Sequence, residues 1–345
     1  MDKPILVTGA TGFVGGAVVR ELLARGHSVR ATGRRPRPPA LPAAVEYRRA
    51  DLGEPGAAAD LCGGIGAVVH TAARAGVWGP WSEYRRDNLE ATRHLLGSAR
   101  EAGARALVFT STPSVVFRGR PIQGGDESLP YGARFPCAYP ATKAEAEKEV
   151  LAADGAGGLR TLALRPHLIW GPGDPHLFPR VFAKARAGQL RQVGRGENRV
   201  DLTWIEDVAR GHADALEALL RGEAAGRAYF LTQDEPVALW PFVREILQRA
   251  GLPAPGRAVP FPVAWAAGAV AEGLWAVTRR PGEPPMTRFV AHELAEDHWF
   301  SSRAAREAFG YRPRVRMAEG LERYFAEERA EAGGEPAETT TGSPS

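Results

Sequence analysis

The stretch that most restricts the fold lies at the N-terminus. Residues 4–8, Pro-Ile-Leu-Val-Thr, run directly into Gly9-Ala10-Thr11-Gly12-Phe13-Val14-Gly15-Gly16 and then into an amphipathic segment reaching about Arg25. This order reads as a short buried strand, a glycine turn and a helix. Glycine permits the tight turn and lets the backbone approach a pyrophosphate, whose charge then meets the N–H groups and positive dipole of the helix N-terminus. The spacing is G-x-x-G-x-x-G rather than G-x-G-x-x-G. A glycine triplet can be turn chemistry alone, and it is the flanking strand and helix that select the dinucleotide reading. Gly9, Thr11, Gly12, Phe13 and Val14 are the residues expected around that ligand.

Strand and helix patterns alternate as far as about residue 170. Strands are expected near 4–8, 28–32, 45–49, 67–71, 106–110 and 159–165, with helices between them, including one over 81–102. Such alternation predicts an α/β fold, a Rossmann-type doubly wound parallel sheet over residues 1–170. Beyond 171 the pattern loosens into helices at about 175–187, 207–221, 239–250 and 287–296, with short strands near 199–204 and 228–232. Residues 171–330 are therefore expected to form a smaller, mostly helical substrate lobe, some of whose elements return to the sheet. The tail over 333–345, rich in Glu, Thr, Pro, Gly and Ser, is expected to be disordered. No internal repeat is present.

The second strand ends in Gly33-Arg34-Arg35, where a fold that prefers NAD places a carboxylate on the ribose 2′-hydroxyl. A small residue followed by two guanidiniums leaves room and charge for a 2′-phosphate. This points to NADP(H) as the preferred cofactor, with NAD(H) possible; the plainer alternative makes Arg34 and Arg35 part of a solvated basic loop over 34–37. Asp51 and Leu52, after the third strand, are expected beside the adenine.

Tyr139-Pro140-Ala141-Thr142-Lys143 adds chemistry to binding. Residues four apart share a helix face, and Pro140 suits the first helical position because its missing N–H would be unpaired there. A phenol titrates near pH ~10, and a neighbouring ammonium favours its phenolate. Tyr139 is thus a candidate acid/base for an alcohol or ketone, although Y-x-x-x-K also occurs in helices where both side chains are merely solvated.

Together these motifs resemble the extended short-chain dehydrogenase/reductase superfamily. Val69-His70-Thr71-Ala72-Ala73, Thr110-Ser111-Thr112-Pro113-Ser114, Gly124-Gly125-Asp126-Glu127-Ser128 and Arg165-Pro166-His167-Leu168-Ile169-Trp170-Gly171-Pro172-Gly173-Asp174 bring the likeness to its 3β-hydroxysteroid dehydrogenase-like branch. Within it, the chain is similar to bacterial 2-alkyl-3-oxoalkanoate reductases. The resemblance spans residues 4 to about 328. It implies Tyr139 as acid/base, Lys143 as its electrostatic partner and ribose ligand, and Thr112 as a donor to the substrate oxygen, with Ser111 the alternative one position away. Family members more often carry serine at that place. Thr71, Ala72 and Ala73 then line the cofactor, Pro166 and His167 meet the nicotinamide amide through their main chain, and Asn88 supports the catalytic helix. Neither His70 nor His167 is given a catalytic role, and no residue is assigned to a metal.

The implied substrate is a hydrophobic β-keto acid of the 2-alkyl-3-oxoalkanoate type, reduced to the β-hydroxy acid or formed in reverse. An arginine from 78–86 or 118–120 is the candidate for its carboxylate. Alternatives are a sterol 4-carboxylate or 3β-hydroxysteroid dehydrogenase, a nucleotide-sugar epimerase or dehydratase, and a non-catalytic NADP(H)-sensing regulator. A homodimer through helices at 86–101 and 140–153 is implied by analogy with the superfamily.

Net charge of only +4, without a basic stripe, argues against nucleic-acid binding. Two cysteines, Cys62 and Cys137, make no disulfide framework, and the start, without a secretory pattern, suggests the cytoplasm. Residues 259–277 are apolar enough to suggest a membrane contact. Their prolines and Glu272 argue against a span, so a substrate-lobe helix that touches a membrane surface peripherally is the expectation.

Overall fold

The computed structural model describes residues 3–333. The expected disordered tail therefore lies, from 334 on, outside the described residues. Seven strands form one parallel sheet: β1 (Ile5–Thr8), β2 (Val29–Gly33), β3 (Glu46–Arg49), β4 (Ala67–His70), β5 (Ala106–Thr110), β6 (Arg160–Pro166) and β7 (Ala228–Leu231), in the order β7-β6-β5-β4-β1-β2-β3. A parallel sheet covered on both faces needs apolar residues at successive positions rather than alternate ones. Ile-Leu-Val in β1 and Ala-Val-Val in β4 meet that demand and are fully buried.

Because side chains alternate across a strand, β1 feeds two separate cores. Ile5 and Val7 pack with Val18, Val19 and Leu22 of α1 (Phe13–Ala24) and with Leu216 and Leu219 from the helix Ile205–Leu220. Leu6 points the other way, to Leu95 and Ala99 of α2 (Ala91–Glu101) and to Ala146 and Val150 of α3 (Ala138–Ala152). Each buried Val, Leu or Ile among them contributes about 1.5–3 kcal/mol. The sheet order reverses between β1 and β4, which opens a crevice beyond their carboxyl ends.

The two parts of the chain exchange elements. β7, from the second half, completes the main sheet, while Ile122–Gly125, from the first, pairs with His298–Phe300 in a four-stranded sheet. A third core, rich in aromatic side chains, includes Trp170, Phe178, Trp204, Trp240 and Tyr324 from these later elements. The expected single strand near 199–204 is two short pieces, Arg199–Val200 and Thr203–Trp204, belonging to different sheets. The helix expected over 81–102 starts at Trp81 but passes through a π turn at Arg85–Glu90 before α2.

α3 begins two residues earlier than the proline suggested. Ala138 is its first residue, so Pro140 takes the third position. Its missing N–H still falls in the first turn, where no intrahelical acceptor exists. The helix is tied to β6 by a buried ion pair: Arg165 Nη2 donates to Glu147 Oε1 at 2.5 Å and Nε to Oε2 at 3.1 Å, with Tyr131 donating to Oε1 at 2.8 Å. Glu147 and Arg165 are both almost inaccessible to solvent. Breaking a buried pair from one side leaves an uncompensated charge. Glu147→Gln is therefore expected to lower unfolding stability by about 3–5 kcal/mol, read as a lower urea midpoint; an unchanged midpoint would show that the pair does not anchor α3.

Candidate active site

A cleft of about 450 Å³ opens beyond the carboxyl ends of β1 to β4. Gly9, Thr11, Gly12, Arg34, Arg35, Asp51, Leu52, Thr71, Ala72 and Ala73 all line it. Phe13 and Val14 do not: their side chains pack on the core, and what they offer is backbone at a helix N-terminus that no side chain caps. Gly9 adopts φ +67°, and a Cβ there would stand 2.7 Å from the Ala72 nitrogen. A Cβ on Gly15 would lie 2.3 Å from the Gly9 oxygen. The turn can approach β4 only because these side chains are absent. An uncapped helix start, a glycine cradle and two arginines at the end of β2 fit a dinucleotide phosphate chain.

In the wall of this cleft, Asp87 collects three guanidiniums. Arg34 Nη1 approaches at 3.0 Å, Arg74 Nε at 2.9 Å and Arg86 Nη1 at 2.9 Å. Arg86 also holds Asp51 at 2.8 Å and Glu54 at 2.7 Å. Arg35 donates to the Thr11 carbonyl.

Below the cleft a hydrogen-bond chain fixes the loop after β4. Thr92 donates to the Asn88 carbonyl at 2.6 Å, so His70 Nε2, at 3.0 Å, must donate to Thr92. His70 Nδ1 then accepts from the Thr8 hydroxyl at 2.7 Å, and Thr8 accepts the Ala72 N–H at 3.2 Å. Burial, then the nearby Lys143 charge, lowers the His70 pKa to about 3. His70 is thus a neutral structural group. Asn88 bridges the Arg74 backbone, at 2.7 and 3.1 Å, and the Thr142 hydroxyl in the first turns of α3, at 3.1 Å.

The segment after β4 leads from the cleft to a second cavity of about 290 Å³. Thr71 to Ala73 line the first, and Ala75, Gly76 and Val77 the second. Tyr139, Thr112, Pro166 and His167 face this cavity, together with Phe117, Ile122, Leu168, Phe289 and Phe300. Ser111 does not line it; its hydroxyl is buried without a partner, and its N–H donates to Leu164 at 2.6 Å. Of the two hydroxyls weighed from sequence, Thr112 is the one beside Tyr139. Cys137 precedes α3 without lining the cavity, and burial pushes its thiol up to about 12.

The electrostatics differ from the sequence expectation in one respect. Burial pushes the Tyr139 phenol up to about 12, opposed by a hydrogen bond with Thr112, and no lowering by Lys143 is found. Burial lowers Lys143 to about 7 against the pull of Glu147. Lys143 Nζ donates to the Thr110 carbonyl at 2.5 Å and lies 3.9 Å from the centre of the Phe109 ring. Desolvation therefore outweighs the tyrosine–lysine attraction in the protein alone.

His167 donates its N–H to Leu231 at 3.2 Å, and its carbonyl accepts from Thr203 at 2.7 Å. Its imidazole points to the cavity beside those of His176 and His298, with Glu293 and Arg180. None of these last four was singled out from sequence. Arg85, Arg86, Arg118 and Arg120, from the segments expected to supply a carboxylate ligand, do not line the cavity; Arg180, paired with Glu283 at 3.2 Å, does. The only sequence signal near Arg180 was the Gly171-to-His176 loop, which Asp174 pins by accepting the N–H groups of His176, Leu177 and Phe178 at 2.8–3.1 Å.

The pattern of the 3-beta hydroxysteroid dehydrogenase/isomerase family matches residues 6–263. The chain is 45% identical over 329 residues to the 2-alkyl-3-oxoalkanoate reductase of Stenotrophomonas maltophilia, spanning 94% of this chain and 99% of that protein. It is 40% identical over 330 residues to the enzyme of the same name from Shewanella oneidensis, spanning 93% and 85%. A solved structure of MoeE5 with UDP-glucose and NAD is 26% identical, with a TM-score of 0.72 over 95% of this chain and 99% of its own. Match length and identity, on a glycine-cradled parallel sheet with Tyr139 beside its cleft, establish that the chain belongs to the 3-beta hydroxysteroid dehydrogenase/isomerase family.

Proposed function

We propose that the protein reduces hydrophobic β-keto acids of the 2-alkyl-3-oxoalkanoate type, or oxidises the corresponding β-hydroxy acids, with NADP(H) preferred over NAD(H). A nicotinamide-dependent oxidoreductase acting on CH–OH or C=O is what the family and its NAD-binding structural relatives support. The observation that carries the narrower reading is Tyr139 and Thr112 on one mostly carbon-lined cavity next to the dinucleotide cleft. That lining suits an alkyl chain better than a nucleotide sugar.

The bound cofactor supplies the hydride. With its pKa raised, the Tyr139 phenol stays protonated at neutral pH, the form that can give a proton to a ketone oxygen as charge develops there. Thr112 hydrogen-bonds the phenol and lies within the same wall, where its hydroxyl can steady that oxygen. Asn88 and the Arg165–Glu147 pair hold α3, so Tyr139 meets the substrate at a fixed position. Tyr139→Phe is expected to cut turnover of a 2-alkyl-3-hydroxy acid about 10²–10⁴-fold with cofactor affinity retained. Full turnover by this variant would end the proposed role.

For the 2′-phosphate, Arg34 exchanges Asp87 for the ligand while Arg35 stands beside it. Charge-assisted hydrogen bonds of this kind are worth about 1.5–3 kcal/mol each. Replacing both arginines by alanine is expected to raise the KM for NADPH at least roughly tenfold and leave that for NADH nearly unchanged. Equal losses with both cofactors would assign these arginines to the shared pyrophosphate, and no effect on either would assign them to the solvated loop.

A peripheral membrane contact is the third element of the reading. Helix α4 (Phe261–Thr278) has mean hydropathy 1.2, yet only 17% of it is buried. Its inward face is Ala264, Gly268 and Glu272, with Glu272 accepting the Arg288 N–H at 2.7 Å and its guanidinium at 2.6 Å. Val263, Trp265, Val270, Leu274 and Val277 face outward, and Arg279 and Arg280 follow. This is the reverse of a helix on a water-soluble surface. The protein is expected to co-sediment with phosphatidylglycerol vesicles, and Val270→Asp with Val277→Asp to abolish this; recovery of the wild-type protein wholly in the supernatant would refute the contact.

A further inference from the structure

We propose that His167, His298 and Glu293 form a site for one divalent transition-metal ion of the zinc class, set in the wall of the cavity that holds Tyr139. The three residues come from separate places: His167 follows β6, Glu293 lies in helix α5 (Arg288–Ala295), and His298 opens the short strand His298–Phe300. Their ligand atoms nevertheless lie within 4.8 Å of one another.

Hydrogen bonds decide which ring nitrogens are free. His298 Nε2 is 2.8 Å from the Glu293 backbone carbonyl, which can only accept, so Nε2 carries the proton. His167 Nδ1 bonds the buried Asp201 carboxylate, whose other oxygen already accepts the Phe300 N–H at 2.8 Å. A carboxylate also only accepts, so His167 Nδ1 is the protonated nitrogen of that ring. His167 Nε2 and His298 Nδ1 are left as lone pairs, and they face each other at 3.2 Å. Two acceptors this close repel unless a cation stands between them.

Distances and surroundings suit a metal as that cation. Ligands about 2.0–2.1 Å from a tetrahedral zinc stand about 3.3–3.4 Å apart, close to the observed separation. Glu293 Oε2 is 3.8 Å from His298 Nδ1, and its side chain is partly exposed, free to close the remainder. Two histidines and one glutamate are a known donor set for an open zinc site. Each ring is backed at its other nitrogen, one by a carboxylate and one by a carbonyl, the outer support that orients metal-bound imidazoles. All three residues line the cavity, which supplies both the entry path and the side from which a fourth ligand would come. Resting on the β-keto acid reading above, that fourth ligand is the substrate carboxylate.

The test is titration of chelator-treated full-length protein with Co²⁺ alone, followed by visible absorption. The expected result is saturation at one equivalent per chain, with the strong ligand-field bands of tetrahedral cobalt and their loss on adding Zn²⁺. Glu293→Gln, at a partly exposed position, should weaken binding while leaving the circular dichroism spectrum unchanged, and His298→Ala should abolish the bands. Asp201→Asn, acting through His167, should weaken cobalt binding about 10–100-fold. Absence of the bands in the unaltered protein, or bands that persist in His298→Ala, would overturn the site; absence would leave a shared proton as the cation between the rings. Turnover of the keto acid is measured separately. Cobalt binding without such turnover would discard the substrate reading and keep the metal site, whereas turnover without cobalt binding would do the reverse.

Discussion

The turn from β1 into α1 is held against the end of β4 at separations that only glycine allows. With no side chain at Gly9 or Gly15, Thr71 donates to the Thr8 carbonyl at 2.6 Å, and the two strands that flank the reversal of the sheet are locked together at their carboxyl ends. The cleft floor, the loop that leads to the second cavity and the Asn88 link to α3 all hang from this junction. A slip of the turn would carry the loop after β4 and the first turns of α3 with it.

Around the site, the protein handles polarity by enclosing it. His70 is kept neutral between two threonines, the α3 carboxylate is paired with Arg165, and Glu272 turns inward to the following helix while apolar side chains turn outward. Burial also dominates the tyrosine and lysine. An attraction read from helical spacing presumes that both charged forms are affordable, and in a desolvated pocket neither is favoured. Geometry of the i, i+4 kind is thus a statement about proximity, not about protonation.

What could be read in advance follows the range of the interactions. The six strands expected in the first half match observed ones within one or two residues, because parallel strands buried on both faces are written as local apolar runs. The residues that line the first cleft were legible for the same reason: each sits just past the end of one of those runs. Pro140 misled by two positions since proline is tolerated anywhere in a first turn. Arg180, Glu293 and His298 were invisible because their relation to Tyr139 exists only after strands from opposite halves of the chain pair, as Ile122–Gly125 does with His298–Phe300. The outward apolar face of α4 stood in the composition of the segment, yet only the packing of Gly268 against the Thr287 backbone shows which side faces in.

The π turn at Arg85–Glu90 sets a constraint of a different kind. Asp87, Asn88 and Leu89 are consecutive and all buried, serving in turn the arginine cluster at the cleft, helix α3 and the apolar core. Successive residues of a regular α-helix diverge by about 100°, an arc too wide for three neighbours to share one inward side comfortably, and a wider turn relieves it. The extra residue also resets the phase of everything that follows, so that Leu95 and Ala99 reach the sheet. In this segment the count of residues carries as much information as their identity.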